Sequence, residues 1–109
     1  MAENIGVTEL ANGNDFESFT KKGLALVDFW ADWCMPCLVM APVMEELSRK
    51  FRGKIKFGKI DVDENHQLAA KFRILSIPNF VLFKNGKVAE HFIGSMPAED
   101  FEEKLRKHL

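Results

Sequence analysis

The chain has 109 residues, 47% of them hydrophobic and 28% charged, which is ordinary for a globular protein and too apolar for intrinsic disorder. Its 16 acidic and 15 basic residues leave a formal net charge of −1, so no strong field favours nucleic acid or an anionic membrane. The length suits one domain over 1–109, with enough chain to bury a core.

The opening stretch MAENIGVTEL has no basic segment followed by an apolar one, so it does not read as a secretory signal. No run approaches the ~18 apolar residues of a membrane helix; the longest candidate, CMPCLVMAPVM, is short and holds two prolines. With only two cysteines, such a chain is expected in the cytoplasm, where a permanent disulfide is unusual.

NDFESFTKK (14–22) predicts a short helix: Asn14 can cap it, Glu17 follows three residues on, and Phe16 and Phe19 share a face. LALVDFWA (24–31) predicts a strand with Leu24, Leu26 and Trp30 on one face and Ala25, Val27 and Phe29 on the other. Both faces are apolar, the pattern of a central strand covered on both sides. A helix is expected from about Cys34 to Phe51, with Leu38, Ala41 and Met44 at helical spacing. Pro42 should kink it, having no amide to give the carbonyl of Leu38. KIKFGKIDV (54–62) predicts a second strand, and ENHQLAAKF (64–72) a short helix with Leu68 and Phe72 inward. NFVLFKNGKVAEHFI (79–93) predicts a hairpin with a type I′ turn at Asn85-Gly86. Pro97 opens a last helix with acids early and bases late, and with Phe101 and Leu105 on one face. This order implies an α/β fold: βαβ crossovers, an antiparallel edge, and a small mixed sheet with helices on both faces. The turn after the central strand leads straight into Cys34, at the carboxyl end where sites of open α/β sheets lie.

Cys34 and Cys37 can be read as half of a metal site, as a staple or as a working dithiol. Zinc asks for four ligands, commonly two spaced pairs. One pair is present, and His66, His91 and His108 stand at no finger-like spacing, so no metal is expected. Haem attachment asks for histidine after the second cysteine, where this chain has Leu38. The dithiol reading fits better. At a helix start, residues three apart have Cβ atoms about 5–6 Å apart, and a disulfide wants about 3.5–4.5 Å, a small closing motion. Cys34 at the helix N-terminus faces free amides and the positive end of the dipole, which favour thiolate. Cys37, a turn inside, is expected to be more buried and to act second. Pro36 needs no amide in the first turn and stiffens the link, while Met35 adds a flexible apolar side chain able to pack against varied surfaces. The pair reads as a working dithiol. Trp33 is expected to line the site and Trp30 to serve the core.

Asp28 has no solvent face to escape to if its strand is covered on both sides, so its pKa should rise. Lys59 is odd in the same way, because it shares the face of Ile55 and Phe57. A buried ion pair, or side chains escaping at a strand end, would account for both. The sharper alternative has Asp28 exchanging protons with Cys37 and Lys59 tuning it. The histidines fall on segments that read as solvated helix faces or an edge strand, and they receive no role.

VDFWADWCMPC, then Pro42, KIDVDEN, SIPNF, FKNGK and FIG, in this order over nearly the whole chain, resemble the thioredoxin family. Trp-Cys-x-Pro-Cys below an Asp-Phe-Trp is specific where a bare C-x-x-C is not. The resemblance implies the thioredoxin fold, a central mixed β-sheet of about five strands flanked by four helices. It also implies a protein disulfide reductase that needs no cofactor. Cys34 would attack a partner's disulfide and Cys37 would resolve the mixed disulfide, leaving a Cys34–Cys37 disulfide for a reductase to recycle. The resemblance also implies a depressed thiol pKa, an established trait of that family. Asp28 matches the family's buried acid, Lys59 its neighbour, and Pro78 a proline held cis opposite the cysteines. Trp33, Ile77 and Gly94 would form an apolar docking surface, joined by Met35 and Pro36 between the cysteines, with the Ile77 backbone pairing to an extended substrate. Expected partners are protein disulfides and a thioredoxin reductase or equivalent donor, with the chain a monomer that binds neither nucleic acid nor membrane. Many bacterial members carry glycine at the place of Met35, lysine at that of Leu38 and often threonine at that of Asn79. These differences should alter redox poise and partner choice. Competing readings are a disulfide oxidase or isomerase, a glutathione-linked protein, and a binding module whose cysteines are incidental.

Overall fold

The computed structural model describes residues 6–109; the first five residues of the opening stretch lie outside the described residues. In chain order the elements are β1 (Thr8–Leu10), α1 (Gly13–Thr20), β2 (Leu24–Trp30), α2 (Met35–Lys50), β3 (Ile55–Asp61), α3 (His66–Lys71), β4 (Asn79–Lys84), β5 (Lys87–Ile93) and α4 (Ala98–Arg106). The strands form one sheet in the order β1-β3-β2-β4-β5. β3 runs parallel to both β1 and β2, while β4 is antiparallel to β2 and β5. The expected mixed sheet with an antiparallel edge is present.

β2 is the central strand because both its faces are apolar. On one face Leu26 packs with Met40, Met44 and Leu47 of α2 and with Phe101 and Leu105 of α4. On the other, Val27 and Phe29 pack with Phe16 of α1, and Phe19, Leu68 and Phe72 close over them. Pro42 stands inside α2, which continues through it to Lys50. The hairpin turn has φ of +51° at Asn85 and +85° at Gly86, the paired left-handed geometry of type I′. Its tip is tied to the loop before β2: the Gly23 amide donates to Asn85 Oδ1 at 2.8 Å, and the Asn85 amide to the Gly23 carbonyl at 2.9 Å.

Two features depart from the sequence expectation. α1 begins at Gly13, and its cap is Asn12 rather than Asn14: the Asn12 side chain accepts from the Asp15 amide at 2.9 Å. Asp15, three residues along, reaches back in turn, and its carboxylate accepts from the Ala11 amide at 3.0 Å. The N-cap position needs its acceptor beside the N3 amide, and Asn12–Asp15 meets this where Asn14–Glu17 lies a half-turn too late. β1 carries no usable signal, since only Leu10 of its three residues is buried and alternation needs a longer run.

Candidate active site

β2 pairs along its length with β3 on one side and β4 on the other, and it delivers the chain to the mouth of α2. Cys34 is the N-cap of α2, with φ −92° and ψ 103°. Cys34 and Cys37 are joined as a disulfide, with their Cα atoms 5.3 Å apart. The Cys37 amide donates to Cys34 Sγ at 3.2 Å, and the Leu38 amide to the Cys34 carbonyl at 3.1 Å. The Cys34 sulfur thus stands where a serine or aspartate oxygen stands in an ordinary cap. An N–H and the positive helix end both favour negative charge on it.

Cys34 and Cys37 are 4% and 3% exposed, so the expected difference in burial is absent from the disulfide form. The bond ties both sulfurs to one place, against Ala31 and under Trp30, Val62 and Ile77. Their surroundings do differ. Cys34 stands between Trp33 and Met35, each 66% exposed. Cys37 lines a cavity of about 50 Å³ with Asp28, Trp30, Leu38, Glu45 and Lys59 among its walls.

Asp28 is buried in mid-strand, opposite Lys59 in the β2–β3 register and Phe80 in the β2–β4 register. Among the described residues its Oδ1 has no hydrogen-bond partner. Burial pushes its carboxyl up to about 7, with the Lys59 charge acting the other way. No contact ion pair joins the two among the described residues; the Lys59 ammonium lies over the Trp30 ring, 4.6 Å from its centroid. Asp28 is therefore neither a tight ion-pair partner nor a side chain escaping at a strand end. Trp30, expected in the core, is half-buried, and its Nε1 also has no partner. It forms the inner wall of the site.

The segment around Pro78 comes against the cysteines through Ile77, and the Ile77–Pro78 peptide is cis. The Gly94 amide donates to the Pro78 carbonyl at 2.9 Å, and Gly94 has φ +88°, a conformation that suits glycine. Among the described residues nothing hydrogen-bonds to the Ile77 backbone. Trp33 is fixed at its rim, Nε1 donating to Asp63 Oδ2 at 2.8 Å. Sequence reasoning missed Asp63, which anchors Trp33, and the exposed Ile93, which precedes Gly94 and pairs with Asn79 across the β4–β5 register. No local pattern marks either residue, because each meets the site through a partner distant in the chain. His91, given no role, holds the buried Asn79 through Nδ1···Oδ1 at 3.2 Å.

Among the described residues no group of three or more His, Cys, Asp or Glu is arranged to hold a metal ion, and no helix is long and apolar enough to cross a membrane. The family model for thioredoxin matches residues 7–107. The chain belongs to the thioredoxin family. It is 47% identical over 95 residues to a thioredoxin of Staphylococcus aureus strain Mu50, covering 87% of this chain and 91% of that one. Among solved structures it superposes on a single-site mutant of the thioredoxin from Halobacterium salinarum NRC-1 with a TM-score of 0.88 at 29% identity, over 98% of this chain and 94% of that one. A thioredoxin from Trypanosoma brucei brucei gives 0.88 at 30% identity, with the same two coverages. The five-stranded mixed sheet with four helices is thus the thioredoxin fold. Cys34–Cys37 is the redox-active pair of an oxidoreductase that performs dithiol–disulfide exchange with disulfide substrates and a reductase.

Proposed function

We propose that Cys34 is the attacking thiol and Cys37 the resolving one, with Asp28 as proton acceptor. The Cys34 thiolate attacks one sulfur of a protein disulfide; that S–S bond breaks, a mixed disulfide forms, and the partner's other sulfur leaves as thiolate. Cys37 then loses its proton to Asp28 and attacks Cys34 Sγ. The Cys34–Cys37 bond forms, the partner leaves with its second thiol, and its disulfide has been reduced by two electrons. Asp28 suits this step because a carboxyl titrating near 7 can take up and release a proton at neutral pH. Trp33, Met35, Pro36, Ile77, Pro78 and Gly94 form the docking face. There the unbonded Ile77 backbone pairs with an extended partner segment and the exposed apolar side chains cover it. On this reading the chain is one domain over 1–109 and works as a monomer, with neither nucleic acid nor membrane as partner. The cytoplasm suits a dithiol that must be returned to its reduced form.

The carrying observation is the asymmetry of the pair: Cys34 caps the helix between two exposed side chains, while Cys37 faces the Asp28 cavity. Replacing Cys37 removes the intramolecular exit. Cys37→Ser should accumulate a covalent complex with a disulfide-bonded protein, visible on non-reducing electrophoresis, while Cys34→Ser should not. Equal trapping by the two variants would dispose of the ordered mechanism.

A further inference from the structure

Asp28 and Lys59 are register partners on one face of the parallel β2–β3 pair, close enough in register for opposite charges to meet. Here they do not. Among the described residues the Asp28 Oδ1 has no hydrogen-bond partner, and the Lys59 ammonium is 4.6 Å from the centroid of the ring of Trp30, two residues further along β2. A cation over an indole face is attracted by the ring quadrupole, more strongly where water is excluded. Asp28, Trp30, Cys37 and Lys59 all line the same cavity of about 50 Å³. Among the described residues the other titratable group facing it is Glu45 of α2, and β4 presents the uncharged Phe80 to Asp28.

We propose that Trp30 is a positioning residue for the dithiol: its indole face holds the Lys59 ammonium away from the Asp28 carboxyl, leaving that carboxyl free to exchange protons beside Cys37. This rests on the reading of Asp28 as proton acceptor. An ammonium in contact with Asp28 would hold it ionised, and it would then be a poor base at neutral pH. With no lysine at all, the carboxyl would stay protonated to higher pH and would accept a proton too seldom. The ring places Lys59 between these extremes, near enough to be felt and not in contact.

The test uses the disulfide form, in which Cys37 does not titrate, with the Asp28 carboxyl followed by 13C NMR against pH. Trp30→Leu removes the ring face and should lower the Asp28 midpoint by about one pH unit, the effect of an opposite charge moving into contact. Trp30→Phe keeps a ring and should lower it by clearly less. In a Lys59→Met background, Trp30→Leu should produce no lowering. A lowering that persists without Lys59 shows that the indole only excludes water and overturns the proposal, as does an unchanged midpoint in Trp30→Leu. A wild-type measurement stands should Trp30→Leu not fold: the Lys59 ε-methylene protons should be displaced upfield by the indole ring current, and unperturbed positions overturn the proposal. The underlying reading is checked separately by stopped-flow resolution of a mixed disulfide. The pH profile should move toward acid in Trp30→Leu together with the carboxyl midpoint. If Asp28→Asn resolves at the wild-type rate, the proton role falls while the ring-held lysine, read directly by NMR, stands.

Discussion

Cys34 owes its reactivity to the atoms around its sulfur. In the disulfide form it is as buried as Cys37, 4% against 3% exposed, so access alone does not rank the pair. The Cys37 amide points at the Cys34 sulfur at 3.2 Å, and the α2 N-terminus lies behind it; both lower the cost of thiolate there. Cys37 faces the cavity it shares with Asp28, where an ionised carboxylate opposes a second negative charge. Iodoacetamide at neutral pH should therefore label Cys34 first in the reduced native protein. Peptide mass mapping that finds Cys37 modified first reverses the assigned order. The sequence made this pair legible through spacing and the Trp-Cys-x-Pro-Cys pattern. It left Ile93 and Asp63 unread, because an exposed apolar residue or a rim acid becomes meaningful only through its neighbours in space.

At the scale of elements, the parts that failed to read were the shortest. A helix cap depends on one hydrogen bond, and Asn12 and Asn14 are equally good cap residues by type; the Asp15 amide, at 2.9 Å, falls to Asn12. Asn12→Ala should cost about 1 kcal/mol in urea unfolding, whereas Asn14→Ala, inside the helix, should be nearly neutral or slightly stabilising, since alanine is the better helix former. Equal losses would return the cap to Asn14. The other end of α1 is closed from a distance: the Lys56 ammonium donates to the carbonyls of Phe19 and Lys22 at 2.7 and 2.9 Å. That lysine lies 37 and 34 residues away from the two carbonyls it serves, so no local pattern announces it. The hairpin needed no such help. Asn85-Gly86 meets the left-handed requirement at both turn positions, and the apolar runs on either side set its register.

For the molecule as a whole, the buried carboxyl of Asp28 links stability to pH. Its folded pKa, about 7, lies above the ordinary 3.8, so between these values the native state binds the proton and the unfolded chain has released it. The Asp28 contribution to stability therefore falls as pH rises from about 4 to 7, then levels off. A rise of that size corresponds to roughly 4 kcal/mol at about 1.4 kcal/mol per pH unit. Asp28→Asn removes the titration. It should raise unfolding free energy by up to a few kcal/mol at pH 8, show no such gain near pH 3, and slow the reduction of protein disulfides. Urea melts at the two pH values check the first part; a variant less stable than wild type at pH 8 means that the Asp28–Lys59 attraction outweighs the burial cost.

Taken by itself, the sequence determined the α/β class, the central position of β2, the hairpin and the site of the chemistry. Each follows from period, turn type or spacing within a short window: apolar residues on both faces of LALVDFW, Asn-Gly between two runs, two cysteines a helical turn apart. Tertiary structure alone decided what those residues meet. β1 exists because β3 offers it a parallel edge, since three residues cannot hold a strand unaided. The sequence shows a lone acid and a lone lysine on apolar strands and leaves a contact ion pair open. The fold instead sets the lysine over Trp30 and leaves the acid without a hydrogen-bond partner at Oδ1. Periodicity assigns a side chain to a face, but the distance between two charges on that face depends on packing, and in a buried site that distance governs the proton.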